Sequence, residues 1–205
     1  MKTLVLASKN RGKIREIEEM LRGLPWEIKS LYDYPDCPEP AETGETFLAN
    51  ALIKARTVSR HTSEVVLADD SGLEVDALGG EPGVRSARYA GEGASDDENN
   101  DQLLRVMSDV PEGQRGAAFR CVLVLYHPRG DYVTFEGTWR GVIGRGVIAS
   151  SPAGTEGFGY DPLFYLPERG LTVAQLTPEE KNRLSHRSQA VGRLRKYLQS
   201  LDPDP

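Results

Sequence analysis

The chain has 205 residues, 39% of them hydrophobic, and a formal charge of −6 at pH 7. That size and apolar content suit one compact domain with a sizeable core and exclude a disordered chain. The acidic balance removes any global pull toward nucleic acid or an anionic membrane, and the two distant cysteines, Cys37 and Cys121, argue against a disulfide framework or a zinc site and for reduced thiols.

In chain order, the apolar run at residues 4–7 is too short for a signal-peptide core. No run reaches the length that spans a bilayer, so the expected location is the cytoplasm. Residues 4–7 read as a buried strand and 8–12 as a loop. A helix begins near Lys13, with Ile14, Ile17, Leu21 and Leu24 on one face. Pro25 and residues 35–40 mark a loop-rich passage. The next helix is predicted to start at 43–46 and run to about 60, with Phe47, Ala51, Ala55 and Val58 as its stripe. A second short strand, 65–68, ends in the turn Asp69-Asp70-Ser71-Gly72. Residues 79–93 form a glycine-rich loop, and Ser95 with Glu98 makes a capping box for a helix to about Val110, with Leu103, Leu104, Met107 and Val110 facing the core. Residues 117–126 and 132–139 read as long strands joined by a hairpin, with a further strand at 141–148. Another glycine-rich loop covers 154–161. Thr177-Pro178-Glu179-Glu180 then opens a last helix, whose stripe runs through Leu184, Val191, Leu194, Leu198 and Leu201. The order predicts an α/β fold, a mixed sheet flanked by helices. It forms one domain over 1–201 with a flexible tail at 202–205.

Five segments carry candidate chemistry. Ser8-Lys9-Asn10-Arg11-Gly12-Lys13 joins a strand to a helix, where backbone N–H groups and the basic side chains suit a triphosphate. They suit a solvated turn equally well. Asp69 and Asp70 are costly after a buried strand unless paired. Magnesium is the usual partner at a phosphate site, and one carboxylate could also take a proton from water; a capped turn is the plain alternative. Glu42 either favours a helix dipole or ligates a metal, with Glu39 and Glu45 close by. Gly157-Phe158-Gly159-Tyr160-Asp161 could bring Phe158 against a base and Asp161 to its edge, or tuck its aromatics into a core. Lys181, His186 and Arg187 on the last helix are donors suited to a 6-oxo purine, or residues of a solvated face. His61 and His127 receive no role.

Taken together these segments resemble the inosine triphosphate pyrophosphatase family, also described as dITP/XTP pyrophosphatases. The matching stretches are SKNRGK at 8–13, ETGETFLANALIKA at 42–55, ADDSGLEVDALGGEPGVRSARYAG at 68–91, AGTEGFGYDPLF at 153–164 and LTPEEKNRLSHRSQA at 176–190. The resemblance implies an elongated α/β structure, with two lobes and an active-site cleft between them, and a homodimer. It implies magnesium as cofactor, with manganese as substitute, and conversion of ITP, dITP or XTP to the monophosphate and pyrophosphate. It casts Ser8, Lys9, Asn10, Arg11, Gly12 and Lys13 as the triphosphate loop, with Lys13 also catalytic. Asp70 becomes proton acceptor and metal ligand, Glu42 the second ligand, Ser71 a substrate contact and Lys54 a basic residue of the cleft. Phe158, Gly159, Tyr160 and Asp161 become the base loop, and Lys181, His186 and Arg187 the base-reading donors. The chain departs from the family in Ser8 and Lys9, where Thr and Gly are frequent, in Ala41 before Glu42, and in a longer 141–151 segment.

Overall fold

In the computed structural model, residues 2–144 and 153–201 are described. Of the further strand expected at 141–148 only 141–144 are described, with 141–143 continuing the strand before them; the rest of it, the remainder of the long segment to 151 and the tail at 202–205 lie outside them. The chain divides into two compact units, one of Met1–Asp70, Cys121–Gly137 and His186–Pro205, the other of Ser71–Arg120 and Thr138–Ser185.

In the first unit the apolar start of the chain forms β1 (Lys2–Leu6), parallel to β2 (Trp26–Ser30) on one side and to β3 (Val65–Val75) on the other. Parallel neighbours need crossovers. α1 (Arg11–Leu21) and α2 (Phe47–Thr62) lie in the two connections. Strand alternation sorts the side chains. Leu4, Leu6, Leu67, Cys121, Leu123 and Leu125 join Ile14, Ile17 and Leu21 of α1 and Val191, Leu194 and Leu198 of the C-terminal helix α5 (His186–Leu201). Val5, Ala7, Val66, Ala68 and Val124 join Ala51, Ala55 and Val58 of α2. Each fully buried Leu or Val stabilises by roughly 1.5–3 kcal/mol. A one-residue slip would turn all of them to the wrong face, so the pattern fixes the register.

The sheet has seven strands in the order β2-β1-β3-β4-β5-β6-β7, the later ones being β4 (Gly116–Tyr126), β5 (Tyr132–Ile143), β6 (Phe164–Leu166) and β7 (Leu171–Thr172). β5, β6 and β7 pair antiparallel, so the sheet is mixed, as the element order predicts. The core of the second unit gathers Leu73, Val75, Leu103, Met107, Phe119, Trp139, Ile143 and Phe164. Its helices are α3 (Asp96–Val106) and α4 (Pro178–Leu184), each opened by the capping box read from the sequence.

Several boundaries differ from expectation. β2 occupies part of the passage that reads as loop, and β6 and β7 have no counterpart among the expected strands. α1 starts at Arg11, because the Asn10 side chain accepts from the Lys13 amide and caps it there. α3 ends at Val106, short of Val110. β3 continues through the acidic pair to Val75, so these carboxylates sit within a strand and not at its turn. The last helix is two: Ser185 is extended (φ −65°, ψ 159°) and ends α4 before α5 begins. Leu184 accordingly packs in the second unit, and Val191, Leu194 and Leu198 in the first.

Candidate active site

Because Asp69 and Asp70 are consecutive in a strand, they point to opposite faces. Asp69 shares the face of Leu67 and meets α1 and α5. Its Oδ1 accepts from Lys13 Nζ at 2.5 Å, and its Oδ2 accepts from Arg187 Nε at 2.8 Å and from the Cys121 thiol at 3.5 Å. The same guanidinium donates through Nη1 to Glu16 at 2.6 Å. Asp69 is 4% exposed and Arg187 1%. Burial opposes the Asp69 charge, but Arg187 and Lys13 outweigh it and hold the carboxyl well below the usual range. For Arg187 burial works against the cation, and Asp69 and Glu16 still keep its pKa above the ordinary value.

Asp70 shares the face of Val66 and Ala68 and meets α2. Its Oδ1 accepts from Lys54 Nζ at 2.6 Å, and its Oδ2 from Asn50 Nδ2 at 3.3 Å. Lys54 Nζ also lies 2.6 Å from Glu42 Oε1 and donates to the Asp69 carbonyl at 3.2 Å. Burial pulls Lys54 down, yet Asp70 and Glu42 prevail and raise it. For Asp70 burial wins against Lys54 and Lys13, and its pKa rises. Two carboxylates thus converge on one ammonium. Of the three acids the sequence offers near residue 42, Glu39 pairs loosely with exposed Lys9 at 3.9 Å, and Glu42 is the one beside Asp70's partner.

Ahead of this cluster runs the 8–13 segment. The Asn10 amide donates to Ser8 Oγ, and Tyr32 Oη donates to the Lys9 carbonyl at 2.8 Å with Arg11 over its ring. Arg11, Gly12 and Lys13 form the first turn of α1, which contains no acid, so its N–H groups and Lys13 favour an anion. Ser71 follows Asp70 within β3, half-exposed.

In the second unit, Phe158, Gly159, Tyr160 and Asp161 form a tight loop. Asp161 Oδ2 accepts from the Phe158 amide at 2.9 Å and from Lys181 Nζ at 2.6 Å, and Lys181 Nζ stands 4.5 Å from the centroid of the Phe158 ring. Gly157 has φ +87°, and a Cβ there would collide with the Asp161 carboxylate. Tyr160 Oη donates to the Ser86 carbonyl at 2.8 Å, and burial pushes this phenol up.

The expected base-reading donors are therefore divided. Lys181 belongs to α4 in the second unit and is bound to Asp161, whereas His186 and Arg187 open α5 in the first. Arg187, expected to read a base, gives Nε and Nη1 to carboxylates and is fully buried. Sequence reasoning missed Glu16 and Asn50. Asn50 is fully buried, and its Oδ1 accepts from the Gly44 amide at 2.7 Å while its Nδ2 holds Asp70. The signal was available, since both are polar residues beside apolar helix stripes.

A mixed sheet flanked by helices that brings a helix N-terminus, two lysines and paired carboxylates together defines an α/β protein with a charged cluster beside a helix N-terminus. A family model described as the Ham1 family matches residues 4–197, and the chain belongs to that family. It is 52% identical to a dITP/XTP pyrophosphatase of Geobacillus kaustophilus (strain HTA426), an alignment covering 95% of this chain and 93% of that one. A dITP/XTP pyrophosphatase of Geobacter sulfurreducens is likewise 52% identical, over 97% of each. Among solved structures, a HAM1 protein from Coxiella burnetii is similar with a TM-score of 0.87 and 40% identity, covering 98% of this chain and all of that one.

Proposed function

We propose that the protein hydrolyses non-standard purine nucleoside triphosphates, ITP, dITP and XTP, to the monophosphate and pyrophosphate with the help of magnesium, and so removes these nucleotides before they enter DNA or RNA. Relatives that carry the name dITP/XTP pyrophosphatase over nearly the whole length support this reading. The observation that carries it is the division of the acidic pair. Asp69 is spent on Lys13 and Arg187, while Asp70 shares a single lysine with Glu42.

Glu42 and Asp70 fit magnesium. Their oxygens are hard donors, they carry two negative charges against the single charge of Lys54, and magnesium takes few protein carboxylates beside phosphate oxygens. When bound, the metal supplies neutralisation of phosphate charge and acidification of water; manganese satisfies the same donors. Lys13, the α1 amides and Lys54 neutralise the triphosphate, the electrostatic effect that dominates phosphoryl transfer. Asp70 accepts a proton from the water that attacks the α-phosphorus, a task its raised pKa suits. Arg187 serves by fixing Asp69 and thereby Lys13. Ser71 contacts the substrate. For the base, the reading assigns Phe158 as a stacking face and Lys181 and His186 as donors to the 6-oxo group. A 6-amino group would set a donor against those donors, which disfavours adenine. Among the described residues no helix is long and apolar enough to cross a membrane, and the reading takes the protein as a cytoplasmic homodimer.

The test is product analysis with magnesium, offering ITP, dITP, XTP, GTP and ATP in parallel, with a chelator control. Pyrophosphate and the monophosphate from the first three, abolished by chelation, are expected. Orthophosphate as the product would place attack at the γ-phosphorus and overturn the role of Asp70. Binding of ITP without turnover would make the protein a nucleotide sensor.

A further inference from the structure

Helix α3 takes no part in the reaction described above, yet two of its side chains reach the loop at 158–161. Asp96 Oδ2 accepts from the Gly159 amide at 2.6 Å, and Asn100 Nδ2 donates to the Gly159 carbonyl at 3.1 Å. Asp96 and Asn100 are four residues apart and so lie on one face of the helix. Between them they hold the two peptide planes that flank one Cα. That Cα belongs to Gly159, whose φ of +63° lies in the left-handed region. The preceding plane is held as well, because the Phe158 amide donates to Asp161 at 2.9 Å. Three consecutive peptide units, from 157 to 160, are thus pinned by three different side chains. Fixing φ and ψ at Gly159 fixes the directions in which Phe158 and Tyr160 leave the backbone.

Asp96 has an ordinary explanation as one of three acids in the first turn of α3, but that explanation does not account for a short bond to a residue 63 positions away. Asn100 is buried at 9% exposure and has no such local role. Its Oδ1 makes no hydrogen bond among the described residues, so the group is held in place by its one bond to Gly159 and its packing.

We propose that Asp96 and Asn100 are positioning residues that preform the base-binding loop, so that Phe158 meets a purine without an ordering cost at the moment of binding. This rests on the reading of 158–161 as the base loop. The two residues act on recognition of the base and leave the phosphate chemistry of Lys13, Lys54 and Asp70 unchanged.

The experiment uses the full-length protein and the near-isosteric variants Asp96→Asn and Asn100→Asp. The first removes the charge from an acceptor, and the second turns a donor into an acceptor facing a carbonyl. Steady-state kinetics with ITP are measured beside inhibition by inorganic tripolyphosphate, which has no base, with Phe158→Ala as reference. The expected result is a KM for ITP raised about tenfold in Asn100→Asp, the worth of one such hydrogen bond, and about two- to threefold in Asp96→Asn, which keeps an oxygen acceptor, with kcat within about twofold and the tripolyphosphate constant unmoved. A KM that rises in Phe158→Ala but in neither α3 variant overturns the clamp alone. An unmoved KM in Phe158→Ala overturns the base-loop reading itself. KM and tripolyphosphate constant rising together would show that the residues support the fold and not the loop. Should Asn100→Asp fail to fold, Asp96→Asn, at an exposed position, carries the test.

Discussion

The two units solve the same problem, holding polar groups still, by different means. The first pairs full charges: buried Asp69, Arg187 and Glu16 with partly buried Lys13 on one face of the sheet, and buried Asp70 and Lys54 with partly exposed Glu42 on the other. The second relies chiefly on the backbone, with side chains of α3 and Asp161 holding successive peptide groups of a short loop and one lysine completing the set. Buried charge is expensive and unforgiving, since removing one partner strands the other. A backbone-held loop loses only about 1 kcal/mol per bond. The difference predicts where substitution destroys activity, where it destroys the fold and where it does neither.

The largest effect is expected at Asp70→Asn. The amide cannot take a proton, and kcat for pyrophosphate release should fall by about 10³-fold, the size of a lost general base. Stability should change little: the raised pKa means that the folded protein disfavours this charge, while Lys54, which Asp70 helps to keep charged, retains Glu42. Near-normal turnover would remove Asp70 from the mechanism. Arg187→Leu should act in the opposite sense, on the fold first. It leaves Asp69 and Glu16 buried without their shared cation, at a cost of about 3–5 kcal/mol. For a chain of this size that lowers Tm by roughly 10 °C in a thermal melt. A variant as stable as the parent would mean that the two carboxylates find other partners. Asp161→Asn in the second unit should be milder. The Phe158 amide retains an oxygen acceptor while Lys181 loses an ion pair, so KM for ITP should rise several-fold with little change in kcat.

Legibility in the sequence followed the distance over which each signal acts. The capping boxes at Ser95 and Thr177 and the stripe of α2 are local patterns, and the structure reproduces them. The partners of the acidic pair are not local. Lys54 lies 16 positions from Asp70, Lys13 lies 56 from Asp69, and Arg187 lies 118 from it. Without them in view, two adjacent carboxylates look like the end of a strand, whereas β3 runs on to Val75. The same distance hides from the sequence that Arg187 is buried between Asp69 and Glu16. Glu16 and Asn50 went unread because each sits beside an apolar stripe and earns its place through a contact with a distant element. β2 was hidden by its brevity and by the prolines around it, and it is a strand because β1 offers a parallel edge to pair with. The break at Ser185 was masked by a leucine pattern that runs on through it although α4 and α5 pack in different units.

The smallest effects sharpen the contrast most. Thr46 caps α2 by accepting from the Ala49 amide at 3.1 Å, and Ser95 caps α3 by accepting from the Glu98 amide at 3.2 Å. Alanine at either position should cost about 1 kcal/mol, or about 2–4 °C in Tm. The functional consequences should differ. On α2, Lys54 lies two turns beyond the cap and is held by two carboxylates, whereas Asn50 in the first turn holds Asp70, so fraying there should lower kcat and leave KM for ITP in place. On α3, Asp96 is the first residue after the cap, and fraying there releases its grip on Gly159. Ser95→Ala should therefore raise KM for ITP by about two- to threefold at the same loss of Tm. Equal KM values for the two variants would mean that the loop keeps its shape without the first turn of α3, and that packing in the second unit, rather than the hydrogen bond from Gly159, holds it.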